Sequence, residues 1–460
     1  MQQEVVCKSV VKTKKSSVKM YRNSINTLTE WKLSKNRKPL VFLGARQVGK
    51  TWLIQEFGRQ EYRQMAYINF ERPNAPKTLF EKDFDIDRII TVLNAYTGLT
   101  ITPEDTLIVF DEIQTTRKGI TSLKYFCEDA PQYQIIAAGS LLGINIHPDE
   151  SFPVGKVNFL KLHPMSFYEF LLAMGENGVA ELIKKHDWEN IVFFKDKLIN
   201  LLRYYLYIGG MPEAVANFAE NRDWKKVRTI QNEILKTYHN DFSKHAPKDI
   251  LPRINMVWES ISAQLAKENK KFIYGVIKEG ARAKDFEMAI QWLVDAGLLH
   301  KVYNLSKPGL PLNAYQELSA FKLYFNDVGL LGAMSNLQAK TIVDGDMLFS
   351  EYKGALTEQF VYQQLNLIKN LPIYYFSPNS NLEIDFVIQN ENDEIIPIEV
   401  KAEENLQAKS LKTYCQKYQP LIAIRTSLSD YRQESWITNV PLYIVGDYFQ
   451  NSEKETQLKN

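Results

Sequence analysis

A phosphate-binding loop is the clearest chemical signature of the sequence. Residues 44–51 read GARQVGKT and fit the pattern G-x-x-x-x-G-K-[ST]. Glycines let such a loop turn its backbone N–H groups inward, and the dipole of the following helix adds positive potential, so the loop binds phosphate. Lys50 supplies charge for the β- and γ-phosphates, and the Thr51 hydroxyl is a ligand for Mg²⁺. The predicted ATP-binding residues are Gly44, Ala45, Arg46, Gln47, Val48, Gly49, Lys50, Thr51 and Trp52.

A second half of this site is predicted where the apolar run 106–110 ends in Asp111 and Glu112. The carboxyl ends of parallel strands face the ligand crevice of such a sheet. We expect Asp111 to hold Mg²⁺ through water and Glu112 to act as general base on the attacking water. Ser140, which follows the apolar run 135–138, is expected to contact the γ-phosphate or that water. The alternatives are a solvated strand terminus for the carboxylates and a helix N-cap for Ser140.

A hairpin near the C-terminus is predicted to bring further charged residues together. Residues 382–388 (LEIDFVI) and 395–401 (IIPIEVK) alternate as strands do and flank a polar turn centred near Asn392. If the hairpin is symmetric about this residue, Asp385 lies opposite Glu399. Two carboxylates then face each other across the two strands.

The chemistry expected of this hairpin is phosphodiester hydrolysis. The period of two puts Glu383 and Lys401 on the same face as Asp385 and Glu399. Asp385 and Glu399 are expected to share a divalent metal, because hard oxygen ligands suit Mg²⁺. Lys401 would orient water or stabilise the developing charge of a phosphorane. The alternative is a half-exposed hairpin whose charges pair across the strands.

A parallel sheet is needed to position the N-terminal groups. From residue 38 the sequence alternates short apolar runs with amphipathic helical stretches, which is typical of a parallel sheet covered by helices. Residues 166–250 are predicted to be helical, because apolar side chains recur at spacings of three and four. The predicted strands of the core are Leu40 to Leu43, Met65 to Phe70, Thr106 to Phe110 and Ile135 to Ala138.

The middle of the chain predicts a winged helix. A helix is expected to open with Asp285 as its N-cap, Gly297 can close it, and residues 298–305 can form a strand. Such a helix would enter a DNA major groove. The helix itself carries few basic residues, so a protein contact or scaffold role is an equal alternative. The basic residues near its start are Lys278, Arg282 and Lys284.

Composition indicates a globular protein. The chain has 460 residues, 45% of them hydrophobic and 24% charged, and a length that suggests about three folding units. The net charge of +2 does not indicate nucleic acid, although a local patch could bind it. Cys7, Cys127 and Cys415 have neither disulfide nor metal-ligand spacing. No apolar run suits a membrane span and no signal peptide is recognised, so we expect a cytoplasmic protein without membrane contact.

Taken together, the motifs resemble those of a family of bacterial and archaeal AAA-type ATPases, within the AAA+ superfamily, that carry a C-terminal domain of unknown function. The resemblance covers nearly the whole chain from Tyr21. One motif departs from the family pattern: Gly155-Lys156 stands where the family commonly has Gly-Arg, so an arginine finger stays unassigned. The matching stretches are 44–51, 110–114 (FDEIQ), 138–142 (AGSLL), 163–171 (HPMSFYEFL), 209–214 (GGMPEA) and 399–401 (EVK).

This resemblance implies an α/β architecture with a P-loop NTPase core, a helical lid, a winged-helix-like middle domain and a C-terminal domain similar to the PD-(D/E)xK nuclease fold. Glu358 resembles the upstream acid of that nuclease fold. Tyr374 and Tyr375 are expected at the edge of its site, and Lys409 and Lys412 are expected to reach phosphate. The expected units are a basic tail (1–20), the ATPase core (21–165), the lid (166–250), the winged-helix-like domain (251–340) and the nuclease-like domain (341–460).

The sequence therefore predicts a Mg²⁺-dependent ATPase that presents DNA to a metal-dependent nuclease domain. The alternative is a nucleotide-controlled switch or scaffold whose C-terminal domain is inactive and binds a partner. The AAA-type resemblance favours a homo-oligomer in which a neighbour completes the ATP site, and monomeric action is the alternative. The predicted catalytic residues are Glu112, Ser140, Glu358, Asp385, Glu399 and Lys401, and the predicted metal ligands are Thr51, Asp111, Asp385 and Glu399.

Overall fold

The computed structural model describes residues 20–139, 153–265, 271–343, 350–379, 382–404 and 407–450. Within these ranges the strands form one sheet of five and one sheet of eight. Apolar side chains from both sheets and from the helices between them belong to one buried cluster, which extends from Leu28 to Phe449. The N-terminal and C-terminal parts of the chain are therefore packed against common helices.

The five-stranded sheet is parallel throughout. Its strands are β1 (Leu40–Leu43), β2 (Gln64–Asn69), β3 (Thr106–Asp111), β4 (Gln134–Ala138) and β5 (Asn158–Lys161). They lie in the order β2-β3-β4-β1-β5, and β3 is buried along its whole length, as expected of a strand with helices on both faces. The four predicted strands are present with bounds that differ by at most one residue, whereas the edge strand β5 was not predicted.

Helices alternate with the strands of this sheet along the chain. The second of them begins at Lys50, with Gly49 as its N-cap, so the end of the phosphate loop is also the positive end of a helix. The helices of this part are α1 (Ser24–Leu33), α2 (Lys50–Glu61), α3 (Ile86–Thr97) and α4 (Gly119–Asp129).

The lid, residues 166–250, is helical as predicted. Its first helix starts in a capping box, because the Ser166 side chain accepts from the Glu169 N–H and the Glu169 carboxylate accepts from the Ser166 N–H. Asp223 caps the last and longest helix in the same region. The helices are α5 (Phe167–Ala173), α6 (Asn177–Lys184), α7 (Trp188–Ile191), α8 (Lys195–Ile208), α9 (Pro212–Asn221) and α10 (Trp224–His245).

The middle unit, residues 251–340, contains the predicted helix, glycine and strand, but the helix starts earlier than expected. Arg282 is its N-cap residue and Asp285 lies in its first turn, so the prediction of Asp285 as N-cap was wrong. An acid in the first turn still interacts favourably with the helix dipole. The elements are α11 (Leu251–Leu265), α12 (Tyr274–Ile277), α13 (Ala283–Asp295), β6 (Leu299–Leu305), β7 (Gln316–Phe325), α14 (Val328–Met334) and α15 (Ala339–Val343).

The C-terminal unit shares its sheet with the middle unit. Its elements are α16 (Ser350–Leu365), β8 (Ile373–Asn379), β9 (Leu382–Gln389), β10 (Ile395–Val400), α17 (Lys409–Tyr418), β11 (Ile424–Ser427), β12 (Arg432–Gln433) and β13 (Thr438–Pro441). The sheet has the order β12-β13-β11-β10-β9-β8-β6-β7, and β6 pairs in parallel with β8. The expected boundary at residue 340 therefore does not coincide with the end of a sheet.

Candidate functional site

The phosphate loop, residues 44–51, has a conformation that depends on its glycines. Gly44 and Gly49 have φ angles of 131° and 94°, which side chains other than hydrogen disfavour. A Cβ atom on Gly44 would lie 2.2 Å from the carbonyl oxygen of Leu162, directly after β5. A larger residue at position 44 would therefore push the loop away from the sheet.

Lys50 lies inside this loop. Its Nζ donates to the carbonyl oxygens of Gly44 at 2.6 Å and Ala45 at 2.8 Å. Burial lowers the pKa of the Lys50 amine to about 8, while the charges of Glu112 and Asp111 oppose the shift. A polyphosphate would offer the ammonium charged acceptors, which bind it more strongly than these carbonyls. The loop thus has the geometry and the charge of an anion site.

Oxygen atoms suited to Mg²⁺ meet beside the loop. Tyr67 Oη donates to Oδ2 of Asp111, and Asn69 Nδ2 lies 3.3 Å from the same oxygen. The Thr51 side chain forms a hydrogen bond with Tyr67. Burial raises the pKa of Asp111, and the hydrogen bond from Tyr67 opposes this. Thr51 and Asp111 therefore bring hydroxyl and carboxylate oxygens to one place, which is the donor set that fits Mg²⁺.

Glu112, the residue after β3, is oriented by its own turn. Its φ of 52° is left-handed, and Gln114 Nε2 donates to Glu112 Oε2 at 2.5 Å. Both Glu112 and Asp111 act electrostatically on the Lys50 amine, so the two carboxylates lie near the phosphate loop. This arrangement is what a general base requires, namely a carboxylate held in position beside the reacting group.

The lid and the middle unit contact the outside of the loop. Arg46 Nη1 lies 2.8 Å from Asp241 Oδ1, and Tyr238 Oη donates to the Arg46 carbonyl oxygen at 2.9 Å. The turn between α13 and β6 approaches from the other unit: a Cβ atom on Gly297 would lie 3.3 Å from the Ala45 nitrogen. The loop is thus in contact with parts of the chain that are distant in sequence.

Arg22 is a residue of this site that the sequence reasoning missed. Its Nη1 donates to the carbonyl oxygen of Val48 at 2.8 Å and its Nη2 to that of His163 at 2.5 Å. Its Nε lies 3.2 Å from Glu169 Oε2 in the lid. Arg22 therefore joins the phosphate loop to the end of the sheet and to the lid. No motif marks it, and only its place within the family resemblance could have drawn attention to it.

The remaining residues predicted for the ATP site have different surroundings. Gln47 has a left-handed φ of 65°, Val48 is buried, and Trp52 is 40% exposed on α2. Lys156, for which no finger role was assigned, pairs with a carboxylate of α4 at 2.8 Å. Ser140 lies outside the described residues.

The C-terminal hairpin has the predicted register. The pairs of β9 and β10, from Ile395 with Gln389 to Ile398 with Phe386, are symmetric about residue 392, as the expected hairpin requires. Asp385 Oδ2 accepts a hydrogen bond from the Val400 N–H at 2.7 Å. Asp385 and Glu399 adjoin Phe386 and Ile398, the last of these pairs.

Glu399 and Lys401 pair with each other on this hairpin. Their Oε1 and Nζ atoms are 2.6 Å apart. The other oxygen of Glu399 accepts from the Leu411 N–H of α17 at 3.1 Å. Lys401 therefore lies beside a carboxylate two residues before it in the chain, whereas Glu383, expected opposite Lys401, has another partner.

That partner is Lys322 of β7, which the sequence reasoning did not identify. Lys322 is fully buried, and its Nζ lies 3.2 Å from Glu358 Oε1 and 2.8 Å from Glu383 Oε1. Tyr324 Oη donates to the same oxygen of Glu358, and the Lys322 ammonium lies 5.0 Å from the centre of the Tyr375 ring. We call Lys322 and the carboxylates Glu358, Glu383 and Asp385 the carboxylate cluster, because all three carboxylates act electrostatically on the Lys322 ammonium. A lysine within the apolar run 320–325 was the signal that could have found it.

Other residues expected around the cluster are divided between two faces. Tyr375 packs with the main core, whereas Tyr374 belongs to a smaller core on the other face of the sheet. Lys409 and Lys412 are exposed on α17. Among the described residues, no group of three or more His, Cys, Asp or Glu side chains could hold a metal ion. A cation at Asp385 and Glu399 would therefore need water, carbonyl or substrate oxygens to complete its coordination.

The helix α13 has a mixed outer surface. Lys284 and Arg282 are exposed near its start, but Glu287 and Asp295 are exposed along it. Its inner face, with Trp292 among other apolar residues, is buried. In the part of the chain that the structure covers, Cys127 and Cys415 are free thiols. Nowhere in that part is a helix both long and apolar enough to cross a membrane.

Comparisons with known families divide the chain into three stretches. Residues 36–171 match a family described as an AAA domain. Residues 199–341 match a domain of unknown function (DUF8612), and residues 353–445 match another domain of unknown function (DUF4143). The first stretch is therefore an AAA-type P-loop ATPase domain, and it contains the phosphate loop, Asp111 and Glu112.

The chain is also similar to individual proteins of archaea. An uncharacterized protein of Methanocaldococcus jannaschii is 23% identical over 430 residues, which is 90% of this chain and 84% of that protein. A Walker-type ATPase of Pyrococcus abyssi is 14% identical with a TM-score of 0.43, and the match covers 69% of this chain and 96% of that one. The Orc1 protein of Aeropyrum pernix, solved in complex with DNA, is 13% identical with a TM-score of 0.31, and the match covers 69% and 93% of the two chains.

Proposed function

We propose that this protein binds Mg²⁺-ATP in the phosphate loop and hydrolyses it with Glu112 as the general base. The observation that carries the proposal is the position of the Lys50 ammonium, inside a loop with two left-handed glycines and within reach of both carboxylates that end β3. A positive charge among inward-facing amides binds phosphate, and the adjacent carboxylates serve the metal and the water. The match of this stretch to an AAA domain supports the same activity.

Each residue has a separate role in the proposed reaction. The loop amides and Lys50 bind and orient the β- and γ-phosphates. Thr51 and Asp111 would hold Mg²⁺, which neutralises phosphate charge when bound. Glu112, oriented by Gln114, accepts the proton of the attacking water on its carboxylate.

Asp327 is the residue through which we expect nucleotide binding to affect the C-terminal unit. It is fully buried and accepts hydrogen bonds from the Gly210 N–H at 2.6 Å and from Gln363 Nε2 of α16 at 3.2 Å. Pro212, in the same turn as Gly210, packs close to Gly49 of the phosphate loop. One turn therefore contacts the loop on one side and, through Asp327, α16 on the other. A displacement of the loop is expected to move α16.

For the C-terminal unit we propose a nucleotide-controlled binding role, with DNA as the first partner to test. Metal-dependent cleavage of DNA is the second candidate, and the convergence of Asp385, Glu399 and Lys401 on one hairpin favours it. The upstream acid expected to join them, Glu358, is instead bound to the Lys322 ammonium. Because this acid already has a cationic partner within the protein, the binding role is the one to test first.

The ATPase proposal is tested by two substitutions. Lys50→Ala should weaken Mg²⁺-ATP binding by about a hundred-fold, because charge-assisted hydrogen bonds worth about 3 kcal/mol are lost. Glu112→Gln should retain binding and slow hydrolysis by roughly 10²- to 10⁴-fold, the usual contribution of a general base. Calorimetry and phosphate release measure these effects, with Glu128→Gln on the surface of α4 as the control. Wild-type turnover in either variant would contradict the assignment.

The role of the C-terminal unit is tested with plasmid, linear and single-stranded DNA. Each substrate is incubated with Mg²⁺ or Mn²⁺, with and without ATP, and the wild type is compared with Asp385→Ala. We expect ATP-dependent binding in a gel-shift assay and no cleavage by either protein. Cleavage that Asp385→Ala abolishes would replace the binding role with nuclease activity.

A further inference from the structure

The side chain of Arg46, in the phosphate loop, is bound to the lid helix α10. Its ion pair with Asp241 spans 2.8 Å, and the two side chains are 25% and 11% exposed. The Arg46 carbonyl oxygen accepts a hydrogen bond from Tyr238 at 2.9 Å. Tyr238 and Asp241 are neighbours on one face of the helix. The lid therefore holds both the side chain and the backbone of one loop residue.

Asp241 is placed where its charge affects the phosphate site. Besides Arg46, its carboxyl feels the charges of Glu112, Glu71 and Lys244. A carboxylate that is largely buried beside another carboxylate is unfavourable unless a cation neutralises it. Arg46 supplies this cation, so the pair stabilises the present position of the lid.

The surroundings of the pair contain a second donor. Trp292 and Leu298 of the middle unit enclose it together with the lid. The Nε1 atom of Trp292 is buried and has no hydrogen-bond acceptor among the residues that the structure describes. A buried donor without an acceptor costs about 1–3 kcal/mol. A carboxylate oxygen released by Arg46 would therefore find a donor in the same small pocket.

We propose that, when nucleotide binds, the Arg46 guanidinium exchanges its partner Asp241 for the phosphates. Asp241 is thus a positioning residue, and through it the position of the lid and the binding of ATP depend on each other. A triphosphate carries more charge than one carboxylate, and the planar guanidinium binds phosphate oxygens in pairs. The inference rests on the proposed ATP binding and adds a regulatory contact to it. Such coupling is reciprocal. The Arg46–Asp241 ion pair weakens ATP binding by the same factor by which bound ATP weakens the ion pair.

The test is a double-mutant cycle on the dissociation constant of Mg²⁺-ATP, measured by calorimetry on the full chain. Asp241→Asn keeps the shape of the side chain and removes its charge, so it should tighten binding about three- to ten-fold by releasing Arg46. Loss of a negative charge would tighten binding to some extent in any case. The cycle separates the two causes: if exchange operates, Asp241→Asn in an Arg46→Met background should show only this general charge effect, which is smaller than the effect in the wild type.

Matched controls keep the interpretation specific. Glu233→Gln removes a carboxylate from the exposed side of the same helix and should leave the dissociation constant unchanged. Asp241→Glu keeps the negative charge and should therefore have the same affinity for Mg²⁺-ATP as the wild type. The exchange is refuted if Asp241→Asn leaves affinity unchanged or weakens it, or if it tightens binding equally in the Arg46→Met background.

A second measurement does not depend on the folding of any variant. In the wild type, Mg²⁺-ATP should speed hydrogen exchange of the α10 amides around Tyr238 and Asp241, because the lid loses its contact with the loop. Unchanged or slower exchange there, in protein that binds ATP, refutes the inference and leaves the ATPase proposal intact. Failure of the wild type to bind Mg²⁺-ATP at all would refute both.

Discussion

At the scale of single residues, we expect the protonation of Lys50 to be linked to nucleotide binding. Burial in the loop lowers the pKa of its amine to about 8, against about 10.4 for a lysine in water. Phosphate groups favour the charged form, so a bound nucleotide raises this pKa. Near pH 8 a fraction of the protein molecules must therefore take up a proton at Lys50 when ATP binds.

We expect the affinity for Mg²⁺-ATP to fall as the pH rises above about 8 and to change little just below it. The reason is that, above this pH, the unliganded loop holds a neutral amine that must be protonated on binding. Titrations near pH 8 in two buffers with different ionisation enthalpies measure the proton uptake. Lys50→Arg, which stays charged over this range, should show none, and equal heats for the wild type in both buffers would contradict the prediction.

Lys322 shows a different use of a buried charge. Its ammonium neutralises Glu358 and Glu383 in the interior of the sheet. Lys322→Met should lower the free energy of unfolding by about 3–5 kcal/mol, because it leaves both carboxylates without their cation. Urea denaturation measures this loss.

The matched control is Lys353→Met, whose partner Glu403 is 65% exposed, so that its loss should cost less than about 1 kcal/mol. Adding Glu358→Gln to Lys322→Met should recover part of the stability, since one unpaired charge is removed. A Lys322→Met protein as stable as the wild type would show that the cluster does not need this lysine.

The residues of the site differ in how well the sequence predicts them. Lys50 and Thr51 are predictable because a contiguous loop fixes their surroundings. The pairing of β9 with β10 is predictable because a hairpin register follows from its turn. Arg22, Asp241 and Lys322 act through contacts with residues far away in sequence, and no local pattern records which distant segments will meet.

At the scale of elements, the turn between α13 and β6 brings the middle unit to the phosphate loop. Gly297 in this turn has a φ of 72°, and an added Cβ would lie 3.3 Å from the Ala45 nitrogen. Gly280 has a φ of 73° with no atom within 4 Å of an added Cβ. A substitution at Gly280 therefore changes only the backbone conformation, whereas the same substitution at Gly297 also adds a contact with the phosphate loop.

We expect Gly280→Ala and Gly297→Ala each to lower stability by about 1 kcal/mol, the cost of a left-handed alanine. Only Gly297→Ala should also weaken ATP binding, because its methyl group presses on the loop. Thermal unfolding and nucleotide titration of both variants test this. If both bind ATP like the wild type, the turn does not control the loop.

Elements themselves were predictable where a single strong pattern determines them. The strands β1, β3 and β4 are runs of almost entirely buried residues, so their bounds could be given closely. The edge strand β5 alternates between intermediate and exposed residues over only four positions, which gives a weak pattern. The start of α13 was misplaced because Asp285 is a favourable residue both at an N-cap and in a first turn.

At the scale of the whole molecule, the eight-stranded sheet joins residues on both sides of the expected boundary at 340. The hairpin of β6 and β7 pairs with β8, and Lys322 of β7 is bound by carboxylates of the C-terminal unit. The sequence suggested separate units because each has its own family of motifs and its own helices. Pairing of β6 with β8 is a long-range contact that no local pattern could indicate.

We therefore expect the middle and C-terminal parts of this sheet to unfold together. The slowest amides of β6 and β7 should exchange with the same opening free energy as those of β8 and β9, within about 1 kcal/mol. Native-state hydrogen exchange at low urea concentrations measures both. Lys322→Met should lower both values equally, whereas independent values would mean that the two parts open separately.

The two ends of the eight-stranded sheet have a consequence for the behaviour of concentrated protein. At one end, β12 has only two residues. At the other end, the Gln359 side chain accepts a hydrogen bond from the Phe325 N–H at 2.9 Å and donates one to the Phe325 carbonyl oxygen at 2.7 Å. The Phe272 N–H donates to the Phe321 carbonyl oxygen at 2.8 Å. Exposed strand edges are templates on which further chains polymerise. One edge is short and the other is covered between Phe321 and Phe325, so we expect the native fold to resist amyloid-like growth. A Gln359→Leu protein should form fibrils sooner.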